Sequence, residues 1–178
     1  EGLQAIDTTN KYVIYQNEKR EYCRSDSFCR KIAGLNTYSY WQEQIYFSAR
    51  SVLDKLDVFH APIHLPPRAV PRKTKVVFTV HDVHAELDQN GYYPRAMLDY
   101  FVPRREQAIR EVDQIIVHSE FVKRCVCERC GISDDKITLA PLGYKEEYAH
   151  SVTPDKKQHI AEKYHLPERF ILYVGSIE

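Results

Sequence analysis

Residues 75–82 read Lys75-Val-Val-Phe-Thr-Val-His-Asp82. The run is β-branched and aromatic, and it contains no Gly or Pro. It does not alternate apolar with polar. Such a stretch is a strand buried on both faces, and strands of that kind belong to parallel sheets covered by helices. It breaks off in two ionisable groups, His81 and Asp82. They lie at the C-terminal end of the strand, where open α/β sheets bind ligands. Two structural alternatives stand beside a functional role: His81 hydrogen-bonding a loop carbonyl, and Asp82 capping the next element.

Around this strand the chain alternates. Strands are predicted at 11–15, 57–61, 75–80, 113–117, 136–140 and 169–174. Helices are predicted at 41–56, 96–112, 119–130 and 154–164. In the first helix Ile45, Ala49, Val52, Leu53 and Leu56 recur at spacings of three and four. Pro94 suits the first turn of the second helix, and Pro103 is expected to kink or split it. Ser119 is a good N-cap for the third, and Gly131 stops it. Residues 16–37 are polar and show no period. Four prolines at 62, 66, 67 and 71 make 62–74 a rigid loop, and Asn90-Gly91 turns a second loop at 83–93. Strands alternating with helices give right-handed βαβ units, hence an α/β, doubly wound parallel, Rossmann-like sheet.

Such a sheet brings strand ends to one edge. These ends are His60-Ala61-Pro62, His81-Asp82, His118-Ser119 and Pro141-Leu142-Gly143. Three of the four carry a histidine, which points to a polar crevice rather than a set of unrelated structural residues. The helix after Ser119 offers backbone N–H groups and a positive dipole end. That is either a seat for a phosphate or sugar hydroxyl, or an ordinary cap. No G-x-G-x-x-G follows a strand, and neither a phosphate-binding P-loop nor a G-x-S-x-G elbow occurs.

Composition narrows the classes further. Lys plus Arg and Asp plus Glu are 25 each, so no basic footprint for nucleic acid is evident. Thirteen tyrosines suit sugars and flat polar ligands, though also ordinary interfaces. No apolar run reaches the roughly 18 residues of a membrane span. Cys125, Cys127 and Cys130 form a C-x-C-x-x-C run inside a helical pattern. There Cys125 and Cys127 point apart, so the run reads as free thiols rather than a zinc site. Cys23 and Cys29 fall in a polar stretch whose pairing the sequence leaves open.

Several stretches together carry a resemblance. Asp57-Val-Phe-His-Ala-Pro62, Val77-Phe-Thr-Val-His-Asp-Val83, Val112-Asp-Gln-Ile-Ile-Val-His-Ser-Glu-Phe-Val-Lys123, Asp135-Lys-Ile-Thr-Leu-Ala-Pro-Leu-Gly143 and Phe170-Ile-Leu-Tyr-Val-Gly-Ser-Ile-Glu178 occur in that order. They resemble the N-terminal half of GT-B retaining glycosyltransferases of family 4. The resemblance covers residues 55–178 well and 1–15 loosely.

The resemblance implies one half of a GT-B two-domain architecture, in which two Rossmann-like domains face each other across a cleft. It implies transfer of a sugar from a nucleotide-sugar donor to a glycan or lipid-linked acceptor, with retention and generally without a metal or resident cofactor. His81 matches the family histidine near the donor sugar, and Asp82 would orient the acceptor hydroxyl. Ser119 starts a helix facing the cleft, and Gly175 matches the glycine opening the donor domain's first loop; with His118, Pro141 and Gly143 at the strand ends they are expected to bind substrate. The implied setting is cytoplasmic, at the inner membrane face, with any membrane contact peripheral. Nucleic acid is not an expected partner.

Departures from the family pattern set expectations about extent. The first strand and its glycine loop are missing, and residues 1–7 look like the tail of the helix that follows them. The basic pair and carboxylates that would serve the donor are not present either. Residues 1–150 are therefore read as the acceptor-side domain, and 151–178 as a linker and first donor-domain strand. Both ends are expected to continue in a longer parent, and this stretch alone is expected to turn nothing over. Alternatives are a non-catalytic sugar- or nucleotide-binding module, or a GT-B nucleotide-sugar epimerase.

Overall fold

A computed structural model describes residues 6–16, 29–33, 40–63, 65–145 and 148–175. The chain divides into two compact units, Glu1–Pro141 and Leu142–Glu178. The first is built on a parallel sheet of four strands: β3 (Val58–Ala61), β4 (Lys75–Val80), β5 (Gln114–Val117) and β6 (Ile137–Leu139). The strands lie in chain order, β3-β4-β5-β6. This is the Rossmann-like parallel α/β sheet that the alternation predicts.

Strand periodicity sorts the side chains onto two faces. Phe59, Ala61, Val76, Phe78, Val80, Ile115, Val117 and Ile137 share one face, and all are buried. Helix α3 (Arg95–Glu111) and helix α4 (Glu120–Cys130) supply the rest of the core through Ala108, Ile109, Val122, Val126 and Cys130. Ile115 and Val117 are fully enclosed. Burying a side chain of this kind contributes about 1.5–3 kcal/mol relative to leaving it in water.

Capping follows the sequence. Ser119 Oγ accepts from Val122 N at 3.3 Å and starts α4. Gly131, at φ +63°, ends it in the left-handed region that favours glycine. Asp113 pins the start of β5, accepting from Val76 N at 2.9 Å and from Lys75 Nζ at 2.7 Å. Those two bonds, the Lys75 bond first, hold its carboxyl below the usual range.

Five expectations are corrected. Within 16–37, residues Cys29–Ala33 form a strand, β2, pairing in parallel with β1 (Tyr12–Gln16). Such a pair is held by backbone bonds and leaves little side-chain period to read. Helix α1 spans Tyr40–Leu53, and its apolar stripe is not its buried face: Ile45, Val52 and Leu53 are exposed. Instead Ser51 is buried, and Phe47 packs edge-on to Phe59 at 5.6 Å. Tyr15 stacks on Phe59 and donates to Asp54 Oδ2 at 2.7 Å, tying β1 to α1. The 83–93 loop contains a one-turn helix, α2 (His84–Leu87). Pro103 sits inside α3 without splitting it.

The fifth correction lies in the second unit. Helix α5 (Pro154–Lys163) forms as predicted, with Pro154 in its first turn. Residues 169–174 are not a strand and pair with none among the described residues. The predicted helix tail at 1–7 and Cys23 lie mostly or wholly outside the described residues. No described helix is long and apolar enough to cross a membrane.

Candidate functional site at the C-terminal edge of the sheet

Parallel register builds the site. Val80 is paired with Val117, and Val117 with Leu139. The next residues, His81, His118 and Ala140, therefore leave the sheet side by side. The rings of His81 and His118 meet, with centroids 4.9 Å apart and planes tilted by 39°. Each ring also reaches a carbonyl just past a neighbouring strand. His81 Nε2 donates to Pro62 O at 2.6 Å, and His118 Nδ1 donates to Ala140 O at 2.7 Å.

Those bonds fix the tautomers, because a carbonyl oxygen only accepts. The neutral His81 ring then presents a bare Nδ1, and the neutral His118 ring a bare Nε2. His118 Nε2 is buried and has no hydrogen-bond partner among the described residues. A buried acceptor without a donor is costly and fits a ligand hydroxyl or an ordered water.

Asp82 follows His81, and its side chain is half exposed. Its Oδ1 accepts from His84 N at 3.2 Å, but the N-cap position of α2 is Val83 and no side chain caps that helix. Of the two structural alternatives weighed for this pair, the bond from His81 to a loop carbonyl is realised and the Asp82 cap is not. Neither group is used up: His81 keeps Nδ1, and Asp82 keeps half its surface.

The remaining candidates are spread more widely. His60 pairs with Val77 and sets its Nε2 2.8 Å from Thr79 Oγ1, where partial desolvation lowers its pKa. Ser119 stands next to His118 but is occupied as the cap of α4. Pro141 follows the carbonyl that His118 holds and is exposed. Gly143 and Gly175 belong to the second unit, and both are exposed. Cys125 and Cys127 are half-buried and Cys130 is buried, along α4. Burial pushes the Cys127 and Cys130 thiols up, away from reactive thiolate.

Two residues at the edge escaped sequence reasoning, Arg105 and Glu86. Arg105 is 8% exposed, and its guanidinium lies against the Glu86 carboxylate and 3.0 Å from Asp82 O. A signal existed. Arg105 occupies the same helical stripe as Ala108, Ile109 and Val112, where a charge is out of place. A separate groove of about 1080 Å³ lies between α1 and α3. Its polar groups engage one another: Arg68 pairs with Glu111, and Gln44 bonds Pro66 O and Arg68 N. The histidine edge is the better candidate because it holds a buried ring nitrogen, His118 Nε2, with no partner among the described residues.

Fold and edge together define a Rossmann-like parallel α/β sheet whose C-terminal edge carries two histidines in ring contact. The chain belongs to a glycosyltransferase family: the one described as Glycosyltransferase Family 4 matches residues 13–148. It is also similar to a solved structure described as a glycosyltransferase from Rickettsia africae ESF-5, with a TM-score of 0.50 and 17% identity. At that identity the likeness is one of fold. The match covers 80% of this chain and 38% of that one, so the chain spans well under half of that relative's length. No curated protein matches the sequence.

Proposed function

We propose that the protein carrying this chain transfers a sugar from a nucleoside-diphosphate sugar to a glycan or lipid-linked acceptor, with retention of anomeric configuration. The observation that carries this reading is the family match over 13–148, the region whose sheet edge bears His81 and His118. In the transfer, the bond between the sugar's anomeric carbon and the diphosphate breaks. A bond to the acceptor oxygen forms, and the acceptor proton leaves with the departing phosphate. Positive charge builds on the sugar, and fixed dipoles that meet it lower the barrier. His81 suits that task because its ring is already oriented by Pro62 O. Asp82, half exposed, would orient the acceptor hydroxyl. No resident cofactor is invoked, and any membrane contact is peripheral, at a cytoplasmic face.

The test uses the full parent protein and a panel of radiolabelled nucleotide sugars with glycan and lipid-linked acceptors. His81→Ala should keep its fold and lose about 10²-fold or more in transfer. Near-normal turnover would remove His81 from the mechanism. Nucleotide-sugar binding with no transfer by the wild type would make the protein a binding module. Interconversion of the nucleotide sugar without acceptor would make it an epimerase.

A further inference from the structure

Arg105 is a charged residue on the core face of α3, and stability alone does not account for it. A buried ion pair loses much of its attraction to desolvation, and apolar replacements are often neutral or stabilising. Its geometry supplies another reason. Nε donates to Glu86 Oε1 at 2.5 Å, and Nη2 bonds the other Glu86 oxygen. Nη2 also donates to Asp82 O at 3.0 Å, and Nη1 lies 3.9 Å from Asp82 Oδ1. One planar fork thus grips both ends of the segment 82–86. Val83, 3% exposed, anchors its middle, and Asp82 Oδ1 closes the turn on His84 N. The Glu86 side chain is 3% exposed, so water does not compete for the grip.

We propose that Arg105 is a positioning residue that, latched to Glu86, sets the orientation of the His81–Asp82 step. The proposal rests on the reading of that step as part of the sugar-transfer site. His81 is held on one side by Pro62 O and on the other through the backbone of Asp82. Releasing the second hold lets the ring leave His118 while the Pro62 carbonyl remains available. Lysine cannot replace the fork, because an ammonium is a point charge without the guanidinium's planar donor array.

The experiment compares wild type, Arg105→Lys and Glu86→Gln in the full parent protein, labelled with 15N-histidine. It reads the His81–His118 ring-to-ring nuclear Overhauser effect and the His118 Nδ1–H signal. In either variant the first should be lost and the second kept, since Ala140 O is untouched. In transfer assays kcat should fall about ten- to a hundredfold with acceptor KM moving less than about threefold, the pattern of lost alignment. A folded Arg105→Lys or Glu86→Gln with the wild-type His81 signals would overturn the proposal. So would unfolding of both variants, which would make the pair a pillar of the fold. If the wild type transfers no sugar from any donor, the transferase reading fails, while the histidine signals still decide the latch.

Discussion

Residues 114–117 and 169–174 are the same kind of sequence with different outcomes. Gln114-Ile-Ile-Val117 is a strand whose Ile115 and Val117 are wholly buried. Arg169-Phe-Ile-Leu-Tyr-Val174 is longer and more apolar, yet Ile171 is fully exposed and Val174 is 84% exposed. The difference lies in the neighbours. β5 runs between β4 and β6 and bonds both. Residues 169–174 pair with no described strand. A β-branched, aromatic run confers the capacity to be a strand, and cross-strand partners realise it.

The largest effect that tests this contrast comes from the middle of β5. Ile115→Ala leaves a cavity in a layer closed by Phe78 and Ile137, and should cost about 2–5 kcal/mol in urea unfolding. A cost below about 1 kcal/mol would mean that the site collapses freely, and β5 would not be the centre of the core.

This contrast also marks what could be read from the sequence. β4 was legible because Val76, Phe78 and Val80 announce burial without help from distant residues. Ser119 and Gly131 were legible because capping is local chemistry. The run at 169–174 was misread because local composition carries no information about partners. The face of α1 was misread for a related reason. Ile45 and Val52 form a good stripe, but the aromatic cluster of Tyr15, Phe47 and Phe59 decides which side turns inward. At the site, the meeting of His81 and His118 follows from aligning Phe78-Thr-Val-His81 with Ile115-Ile-Val-His118 in parallel register. Arg105 reaching Asp82 does not follow, because it depends on how α3 lies across the sheet.

Two smaller perturbations ask whether β5 needs both of its neighbours. On the β6 side, Gly131 allows the chain to turn back from α4. Gly131→Ala forces a Cβ into φ +63° and should cost about 1 kcal/mol, read as a lower thermal midpoint. No loss would show that the return to β6 tolerates another cap. On the β4 side, Asp113→Asn keeps an acceptor for Val76 N but removes the charge facing Lys75. Both side chains are substantially exposed, so the expected cost is about 1 kcal/mol or less near neutral pH. The sign of its pH dependence is fixed. The Asp113 carboxyl is held below its unfolded value, so its contribution is present above about pH 4 and lost as pH falls through the folded value. Wild type and variant should therefore converge in acid. A gap that widens in acid would contradict the Lys75 and Val76 contacts.

The smallest expected effect is the sharpest test of the comparison. Ile171→Ala deletes as many side-chain carbons as Ile115→Ala, but from a residue that water surrounds. Exposed substitutions of this sort stay within about 0.5 kcal/mol of wild type. The amide protons of 170–174 should likewise exchange quickly, while those of 115–117 are protected by the ladder. The paired measurement isolates context, because the deletion is chemically the same at both positions. If Ile171→Ala proved as costly as Ile115→Ala, or if 170–174 were protected in the full parent protein, the run would have found a partner there. Its exposure would then belong to the isolated stretch, and the two sequences would have reached the same end by supplying the same thing, an apolar edge completed by neighbouring strands.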